Sequence, residues 1–386
     1  MKTDRMKILL APDSFKGNLS ARAVCAALEA GIRSVEPTAE IISIPLADGG
    51  EGTARAITLA AGGEFRSVRV RGPLGAPLDA EFGLIRDGEV AVLDMASASG
   101  IEHLSRDALD PMKASTFGTG ELILAALDAG ARRIVMGIGG SATVDGGVGM
   151  ALALGFDVLD AAGKAVSLGG AGLASIARVS SAGADPRLAR TSFLVACDVT
   201  NPLLGPKGAA RVFGPQKGAT EATIPLLEAG LARLSEAWKQ AGLAADTDHP
   251  GDGAAGGLGA ALRAFLKAEI RSGARLVMEY SGYFEALKGT DLLITGEGMT
   301  DAQTAGGKLC SVVAETCRKA GVGVALLSGG LGGDPRELLS VYDYAASIAA
   351  GEVGLDAMMR AAPRDLELAA ANLVRAWKLG RASKDR

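Results

Sequence analysis

One stretch of the chain, residues 133–149, joins a predicted strand, a turn and a predicted helix in immediate succession; its sequence is RIVMGIGGSATVDGGVG. Residues 134–136 are predicted as a short buried strand, and residues 148–154 as the start of a helix. The glycines between them predict a turn in which backbone N–H groups and the positive end of the helix dipole face outward. This arrangement binds anions such as phosphate, so the stretch predicts an α/β fold with an anion site at a strand end.

The same alternation of strand, polar turn and helix recurs near both ends of the chain. A helix over 21–34, with Ser20 as its N-cap, and a helix over 53–61 follow the first two strands. The predicted strands of these two regions cover residues 7–11, 41–46, 292–295, 322–327 and 345–349. Five strands separated by helices predict a parallel, doubly wound sheet, whose ligands bind beyond the carboxyl ends of the strands.

The middle of the chain has a different pattern. Segments 65–70, 78–84 and 89–94 predict extended strands joined by Gly-Pro and Asp-Gly turns. We therefore predict one flavodoxin-like (Rossmann-like) domain from residues 1–64 and 288–386, and a second α/β domain inserted at 65–287.

Composition excludes several classes of protein. The 386 residues carry a net charge of −4 and only 4% aromatic side chains, without the basic face and stacking aromatics expected of a nucleic-acid-binding protein. The apolar run near the N-terminus, in MKTDRMKILLAPDS, is too short for a signal peptide or a membrane span, and no membrane partner is expected. The four cysteines match neither a zinc site nor a disulfide scaffold, which indicates a reduced, cytoplasmic location.

The scarcity of histidine restricts the chemistry. His103 and His249 are the only two histidines, and both are expected on the surface. A site built from several histidines is therefore impossible, and catalysis is expected to depend on carboxylates, lysines, arginines, hydroxyl groups and backbone amides.

Acidic side chains follow many of the predicted strands and glycine-rich turns. They are Asp13, Asp48, Glu51, Asp145, Asp198, Glu297 and Asp301. Oxygen ligands beside phosphate-binding amides are what Mg²⁺-nucleotide chemistry requires. Lys16, Lys217 and Lys308 add positive charge at similar positions. The chain lacks an ordinary P-loop, because the segment 306–309 has no hydroxyl group after its lysine.

Two other interpretations stay open from the residues alone. Residues 137–142 match the G-x-G-x-x-A form of the dinucleotide fingerprint, and Asp160 lies near the expected offset of a ribose ligand. This pattern suggests an NAD(P)-dependent dehydrogenase of small hydroxy-acids. The other alternative is a non-enzymatic protein that binds small anions, although such a clamp would normally carry an export signal.

Six motifs in order resemble the type I glycerate kinase family, and together they span nearly the whole chain. They are APDSFKGNL (11–19), PLADGGEGT (45–53), GIGGSATVDGGVG (137–149), ACDVTNPLLGPKGAARVFGPQKG (196–218), AAGGLGAAL (254–262) and TGEGMTDAQTAGGK (295–308). The resemblance implies a flavodoxin-like doubly wound parallel sheet domain with a second α/β domain inserted. It also implies ATP- and Mg²⁺-dependent phosphorylation of D-glycerate, with 2-phosphoglycerate expected rather than 3-phosphoglycerate.

The residue roles are predicted on this basis, with phosphoryl transfer in a cleft between the domains. The predicted catalytic residues are Asp198, Glu297, Asp48 and Lys16. The predicted substrate-binding residues are Asp13, Ser14, Lys217, Arg211 and Asn201. The predicted cofactor-binding residues are Gly139, Gly140, Ser141, Ala142, Thr143, Asp145 and Lys308. The predicted magnesium ligands are Asp198, Glu297 and Asp301. The resemblance leaves the oligomeric state open, with a homodimer as one candidate.

Three positions depart from the family pattern. Met299 stands where relatives commonly have an arginine, Val144 where an asparagine is common, and Cys310 where a proline is common. These departures concern the details of substrate binding rather than the reaction class.

Overall fold

The computed structural model describes residues 5–47, 52–244, 246–301, 309–349, 351 and 354–382. Asp48 and Lys308, which have predicted roles, and the acidic residue Glu51 lie outside the described residues.

The described elements include the strands and helices predicted above, together with others that the sequence did not indicate. The strands are β1 (Lys7–Leu10), β2 (Glu40–Ser43), β3 (Glu64–Arg71), β4 (Pro77–Ile85), β5 (Val90–Asp94), β6 (Arg133–Gly137), β7 (Asp157–Leu159), β8 (Arg178–Ser180), β9 (Ser192–Ala196), β10 (Glu269–Arg271), β11 (Leu292–Thr295), β12 (Met299–Thr300), β13 (Gly323–Ser328), β14 (Gly330–Leu331) and β15 (Tyr344–Ser347). The α-helices are α1 (Ala21–Val35), α2 (Thr53–Ala60), α3 (Ala96–Ser99), α4 (Phe117–Asp128), α5 (Val148–Ala153), α6 (Ala209–Phe213), α7 (Ile224–Gln240), α8 (Ala254–Leu266), α9 (Gly273–Tyr280), α10 (Tyr283–Leu287), α11 (Leu309–Ala320), α12 (Pro335–Leu338) and α13 (Leu355–Ala382).

The chain divides into two compact units. The first contains Met1–Asp48 and Val277–Arg386, and the second contains Gly49–Leu276. Both boundaries, at 48/49 and 276/277, lie earlier in the chain than those expected from the sequence, 64/65 and 287/288. At the first boundary the reason is α2, which packs on β4 and β5 of the second unit although its sequence continues the strand-helix alternation of the first.

The first unit is built on a five-stranded sheet in which all neighbouring strands are parallel. The strand order is β2-β1-β11-β13-β15, which is the flavodoxin-like order 2-1-3-4-5 when the strands are numbered along the chain of this unit. The predicted fold class is therefore confirmed. The order reverses between β1 and β11, so the ends of these two strands form the topological switch point of the sheet.

Helices α1 and α13 cover one face of this sheet. Ile8 and Leu10 of β1 pack with Leu28 of α1 and Leu366 of α13 in one buried cluster, as expected for alternate residues of a strand. Helix α1 begins where predicted, because the Ser20 hydroxyl accepts a hydrogen bond from the N–H of Ala23 at 3.2 Å.

The second unit contains a six-stranded mixed sheet in the order β10-β9-β6-β5-β4-β3. Strands β5, β6, β9 and β10 run parallel, whereas β3 and β4 are antiparallel to their neighbours. Strands β7 and β8 form a separate antiparallel pair. The centre of this unit is a large apolar cluster that includes Ile134 and Met136 of β6.

A membrane-spanning role finds no support in the helices that the structure describes, because none of them is both long and apolar enough to cross a bilayer.

Candidate active site

The switch point of the first unit places two predicted acidic residues next to each other along the sheet edge. Asp13 follows β1 and Glu297 follows β11, which are paired strands. The N–H of Asp13 donates to the carbonyl of Gly296 at 2.8 Å, and the Thr295 hydroxyl donates to the carbonyl of Ala11 at 2.9 Å. These bonds tie the two strand ends together and fix the starting point of each acidic turn.

Both carboxylates are oriented by short-range hydrogen bonds. Asp13 is buried, and its Oδ1 accepts the N–H of Ser14 at 2.6 Å. The Oε1 of Glu297 accepts the Thr300 hydroxyl at 2.9 Å, and that hydroxyl lies 2.5 Å from the hydroxyl of Ser328. The two acidic groups are therefore held by their surroundings before any ligand binds.

Glycine allows the turns after β11 and β13 to approach each other. The N–H of Gly329 donates to the carbonyl of Glu297 at 3.0 Å, and the N–H of Gly330 donates to that of Gly298 at 3.1 Å. A Cβ atom on Gly296 would overlap the carbonyl oxygen of Leu327. The glycines of the T-G-E-G segment thus serve a close backbone contact that positions Glu297.

A neutral thiol lies behind these carboxylates. Burial raises the pKa of Cys310 well above its usual range, and the negative charges of Glu297 and Asp13 act in the same direction. A thiol with a raised pKa is a poor nucleophile, so Cys310 is not a candidate for covalent catalysis.

A cavity of about 500 Å³ opens at this switch point. Its polar lining includes Asp13, Ser14, Lys16 and Glu297, and its apolar lining includes Met299, Ile348, Leu355, Met358, Met359 and Ala362. Lys16 lies in a tight turn, because the N–H of Phe15 donates to the carbonyl of Leu19 at 2.8 Å. The volume is within the range of small-molecule sites.

In the second unit, Asp145 is fully buried and occupies the centre of the glycine-rich turn. Its Oδ2 accepts the N–H and hydroxyl of Thr116 at 2.8 and 2.9 Å and the N–H of Gly149 at 3.2 Å, and its Oδ1 accepts the N–H of Gly147 at 3.1 Å. Burial raises the pKa of Asp145, and the bonds from Thr116, Gly149 and Gly147 oppose that rise.

The phosphate-binding role predicted for the glycine-rich turn stays a prediction, because several of its backbone amides have acceptors within the protein in this structure. The N–H of Val148 donates to the carbonyl of Asp145, and that of Ala142 donates to Ser99. Together with the amides bound by the Asp145 carboxylate, these groups already have acceptors within the protein. In this conformation, Asp145 therefore organises the start of α5 instead of leaving it open to a cofactor. The predicted roles of Gly139, Gly140 and Ser141 stay predictions.

Lys217 joins two parts of the same turn from inside the protein. Its side chain is only 1% exposed, and its Nζ donates to the Ser141 hydroxyl at 2.6 Å and to the carbonyl of Thr143 at 2.8 Å. Burial lowers the pKa of Lys217 to about 7, opposed by the negative charge of Asp145. Among the described residues the buried hydroxyl of Thr143 has no hydrogen-bond partner. Lys217 thus supports the turn in this conformation, and its predicted contact with substrate stays a prediction.

The other predicted residues of the second unit lie after β9. Asp198 is exposed, and its carboxylate accepts the N–H of Gly273 at 3.1 Å and that of Ala274 at 3.4 Å, at the start of α9. Asn201 donates through Nδ2 to the carbonyl of Lys207 at 2.8 Å. Arg211, on α6, is exposed.

The structure therefore assembles the predicted residues in groups. Asp13, Ser14, Lys16 and Glu297 line one cavity, and Ser141, Thr143, Asp145 and Lys217 form or adjoin one buried turn. Across the part of the chain that is described, no group of three or more His, Cys, Asp or Glu side chains is arranged to hold a metal ion. The predicted magnesium ligands Asp198, Glu297 and Asp301 stay predictions.

Sequence reasoning missed two features of these sites. Thr116 is a main partner of Asp145 but lies 29 positions before it, and nothing in the local sequence marks that contact. The apolar wall of the cavity was also missed, although its signal is the helical spacing of Leu355, Met358, Met359 and Ala362, which precede Pro363 in α13.

The residue expected to bind a dinucleotide ribose has another role. The Oδ1 of Asp160 accepts the N–H groups of Ala162 and Lys164, both at 2.9 Å, in the turn after β7. The structure therefore adds no support to the dehydrogenase interpretation.

A parallel sheet with a ligand-sized cavity and two carboxylates at its switch point is typical of α/β enzymes that bind small charged ligands. Comparisons with known proteins identify which enzymes these are. The model of the glycerate kinase family matches residues 8–378. The chain belongs to this family, and the prediction that it is an enzyme, a phosphotransferase with an alcohol group as acceptor, is confirmed.

Individual relatives cover most of the chain. A glycerate kinase from Halalkalibacterium halodurans is 43% identical over 373 residues, which cover 96% of this chain and 98% of the relative. A glycerate 2-kinase from Escherichia coli is 48% identical over 314 residues, which cover 81% of this chain and 82% of the relative. A crystal structure assigned to a glycerate kinase 2 from Salmonella typhimurium LT2 superposes with a TM-score of 0.88 at 41% identity, covering 98% of this chain and all of that one.

Proposed function

We propose that the protein transfers the γ-phosphoryl group of ATP to the 2-hydroxyl group of D-glycerate, which yields 2-phosphoglycerate and ADP. The observation that carries the proposal is that Asp13 and Glu297 line the same cavity at the switch point, in a chain that belongs to the glycerate kinase family. The relative named a glycerate 2-kinase supports the 2-hydroxyl group as the acceptor.

The residues present fit a requirement for Mg²⁺. Mg²⁺ is usually held by one or two carboxylates together with substrate phosphates and water, so it does not need a complete cage of protein ligands. Glu297 lines the cavity with its carboxylate already oriented by Thr300. We propose Glu297, with Asp301 and Asp198, as magnesium ligands. Bound Mg²⁺ supplies neutralisation of the phosphate charge.

The protein's own groups then position the reactants and move one proton. Lys16 provides positive charge at the polar end of the cavity. Arg211 is exposed, and its planar guanidinium group is suited to a bidentate pair with the glycerate carboxylate. One carboxylate accepts the hydroxyl proton late in the transfer, and we propose for this role whichever of Asp198 and Glu297 does not bind the metal.

A direct assay of ADP release tests this function. Purified protein with ATP, Mg²⁺ and D-glycerate is expected to release ADP only when all three are present. Removal of the metal with EDTA is expected to abolish the release, and added Mg²⁺ to restore it. Absence of ADP release from folded protein contradicts the proposal, as does a change in NAD(P)H absorbance with glycerate and no ATP.

A further inference from the structure

The cavity of the first unit has an apolar wall that the transfer reaction itself does not explain. Leu355, Met358, Met359 and Ala362 recur every three or four positions of α13, which places them on one side of the helix. Farther along the same helix, Leu366 and Ala370 are buried in the core of the unit. The first turns of α13 thus direct their apolar face to the cavity, and Leu355 remains 69% exposed.

Other apolar side chains extend this wall. Ile348, beyond the end of β15, also lines the cavity. Met299, in the turn that carries Glu297, lines it while remaining 62% exposed. Methionine is flexible and polarisable, and its sulfur makes favourable contacts with aromatic rings. Three methionines in one cavity therefore suit a flat aromatic ligand.

The polar part of the cavity has a different character. Asp13, Glu297 and Lys16 follow the carboxyl ends of β1 and β11, where the sheet switches direction. Carboxylates and a lysine at this position suit a phosphate chain with its divalent cation. The cavity therefore combines charged groups from the strand ends with a mainly apolar wall from α13, in which Asp365 is the one charged residue among the described lining residues.

Glycerate does not use both parts of such a cavity. Each of its three carbon atoms carries oxygen, so it offers almost no apolar surface to the α13 wall. A purine nucleoside triphosphate has a charged chain and a flat, largely apolar base, and it matches both parts.

We propose that this cavity binds the phosphoryl donor, with the purine base against the α13 wall and the phosphate chain toward Asp13 and Glu297. The assignment rests on the proposed function, because it gives a site to the nucleotide of that reaction. This assignment places the nucleotide in the first unit, whereas the sequence suggested the glycine-rich turn of the second unit. In that turn the N–H groups of Gly147 and Gly149, at the start of α5, donate to the Asp145 carboxylate.

Calorimetric titration of the full-length protein with two probes tests the assignment. The probes are ADP and inorganic tripolyphosphate, each with Mg²⁺. The double substitution Leu355→Asn and Met358→Asn removes apolar contacts without adding charge. It is expected to weaken ADP binding about tenfold or more and to leave tripolyphosphate binding unchanged. Leu379→Asn is the matched control, since Leu379 is 74% exposed on the same helix and does not line the cavity.

The outcomes separate this assignment from the proposed function. Equal ADP affinity in the double variant and the control overturns the assignment, as does an equal loss of ADP and tripolyphosphate binding. The single variant Leu355→Asn, at an exposed position, serves if the double variant does not fold, with a smaller loss in the same direction expected. If ADP binding depends on the α13 wall but wild-type protein transfers no phosphate to glycerate, the site stands and the proposed function fails.

Discussion

Lys217 donates two hydrogen bonds to the glycine-rich turn of the second unit, one to Ser141 and one to Thr143. Its side chain is almost completely buried. An ammonium group in such a place loses hydration, and its pKa falls to about 7. The same side chain therefore supports the turn and makes the stability of the fold depend on pH.

The direction of this dependence follows from proton binding. In the unfolded chain Lys217 holds its proton up to about pH 10.5, whereas in the folded protein it releases the proton near pH 7. Between these values the unfolded state binds more protons, so the free energy of unfolding rises with pH. The free energy of unfolding of the wild-type protein, compared with that of Lys217→Met, is expected to increase from pH 7 to pH 10. The increase is at most about 1.4 kcal/mol for each unit by which the pKa of Lys217 differs between the unfolded and folded states. Urea unfolding of both proteins across this pH range measures the effect. If the free energies of unfolding of the two proteins change in parallel with pH, the prediction is contradicted.

Asp198 is predicted to contribute to catalysis more than to folding. Asp198→Asn is expected to lower kcat at least about a hundredfold, since it removes a negative charge and a proton acceptor. Stability should change little, because asparagine also accepts hydrogen bonds at the start of a helix. Asp334→Asn is a matched control, because Asp334 accepts the N–H of Arg336 at the start of α12. Near-normal turnover in folded Asp198→Asn removes this residue from the mechanism.

At the residue scale, sequence reasoning identified chemical types better than orientations. The acidic residues after the strands were recognisable, and Asp13 and Glu297 do line one cavity. Asp145 has the same sequence context, yet its carboxylate is turned inward to Thr116. The orientation of the Asp145 carboxylate depends on Thr116, which lies far away along the chain, and local sequence spacing does not reveal such a partner.

At the element scale, helix bounds were predictable where an apolar stripe was uninterrupted. The amphipathic pattern of residues 224–240 predicts a helix over that range, and helix α7 spans Ile224–Gln240. The sequence after Pro363 predicts a C-terminal helix over 364–382, whereas helix α13 begins nine positions earlier, at Leu355. Its Pro363 cannot donate a hydrogen bond to the carbonyl of Met359 one turn earlier. Asn18 donates to that carbonyl through Nδ2 at 2.9 Å, so a partner from another element satisfies the group that proline leaves unbonded.

The first turn of α5 allows a paired test of packing. A Cβ atom on Gly149 would overlap the Ser115 hydroxyl and lie 2.6 Å from the N–H nitrogen of Phe117. Gly149→Ala is therefore expected to cost about 2 kcal/mol or more of unfolding free energy. Gly380→Ala, in α13 with no atom within 4 Å of its Cβ position, is expected to be neutral or to gain up to about 1 kcal/mol. Denaturant unfolding of both variants gives the comparison, and an equal effect of the two substitutions contradicts the close contact.

At the scale of the whole molecule, the alternation of strands and helices was sufficient to predict a parallel sheet of five strands from the two ends of the chain. It did not show which sheet each helix covers. Helix α2 continues the alternation but packs on β4 and β5 of the second unit. Such packing depends on contacts with strands that come later in the sequence, and no local pattern encodes it.

We propose that this molecule phosphorylates D-glycerate on its 2-hydroxyl group, and proton-coupled ³¹P NMR of the product distinguishes this position from the 3-hydroxyl group. A phosphate on the second carbon couples to one proton and gives a doublet, whereas a phosphate on the third carbon couples to two and gives a triplet. With ATP, Mg²⁺ and D-glycerate, we expect a new phosphomonoester doublet that grows in step with ADP. A triplet contradicts the assigned position, and growth of inorganic phosphate alone contradicts transfer to glycerate.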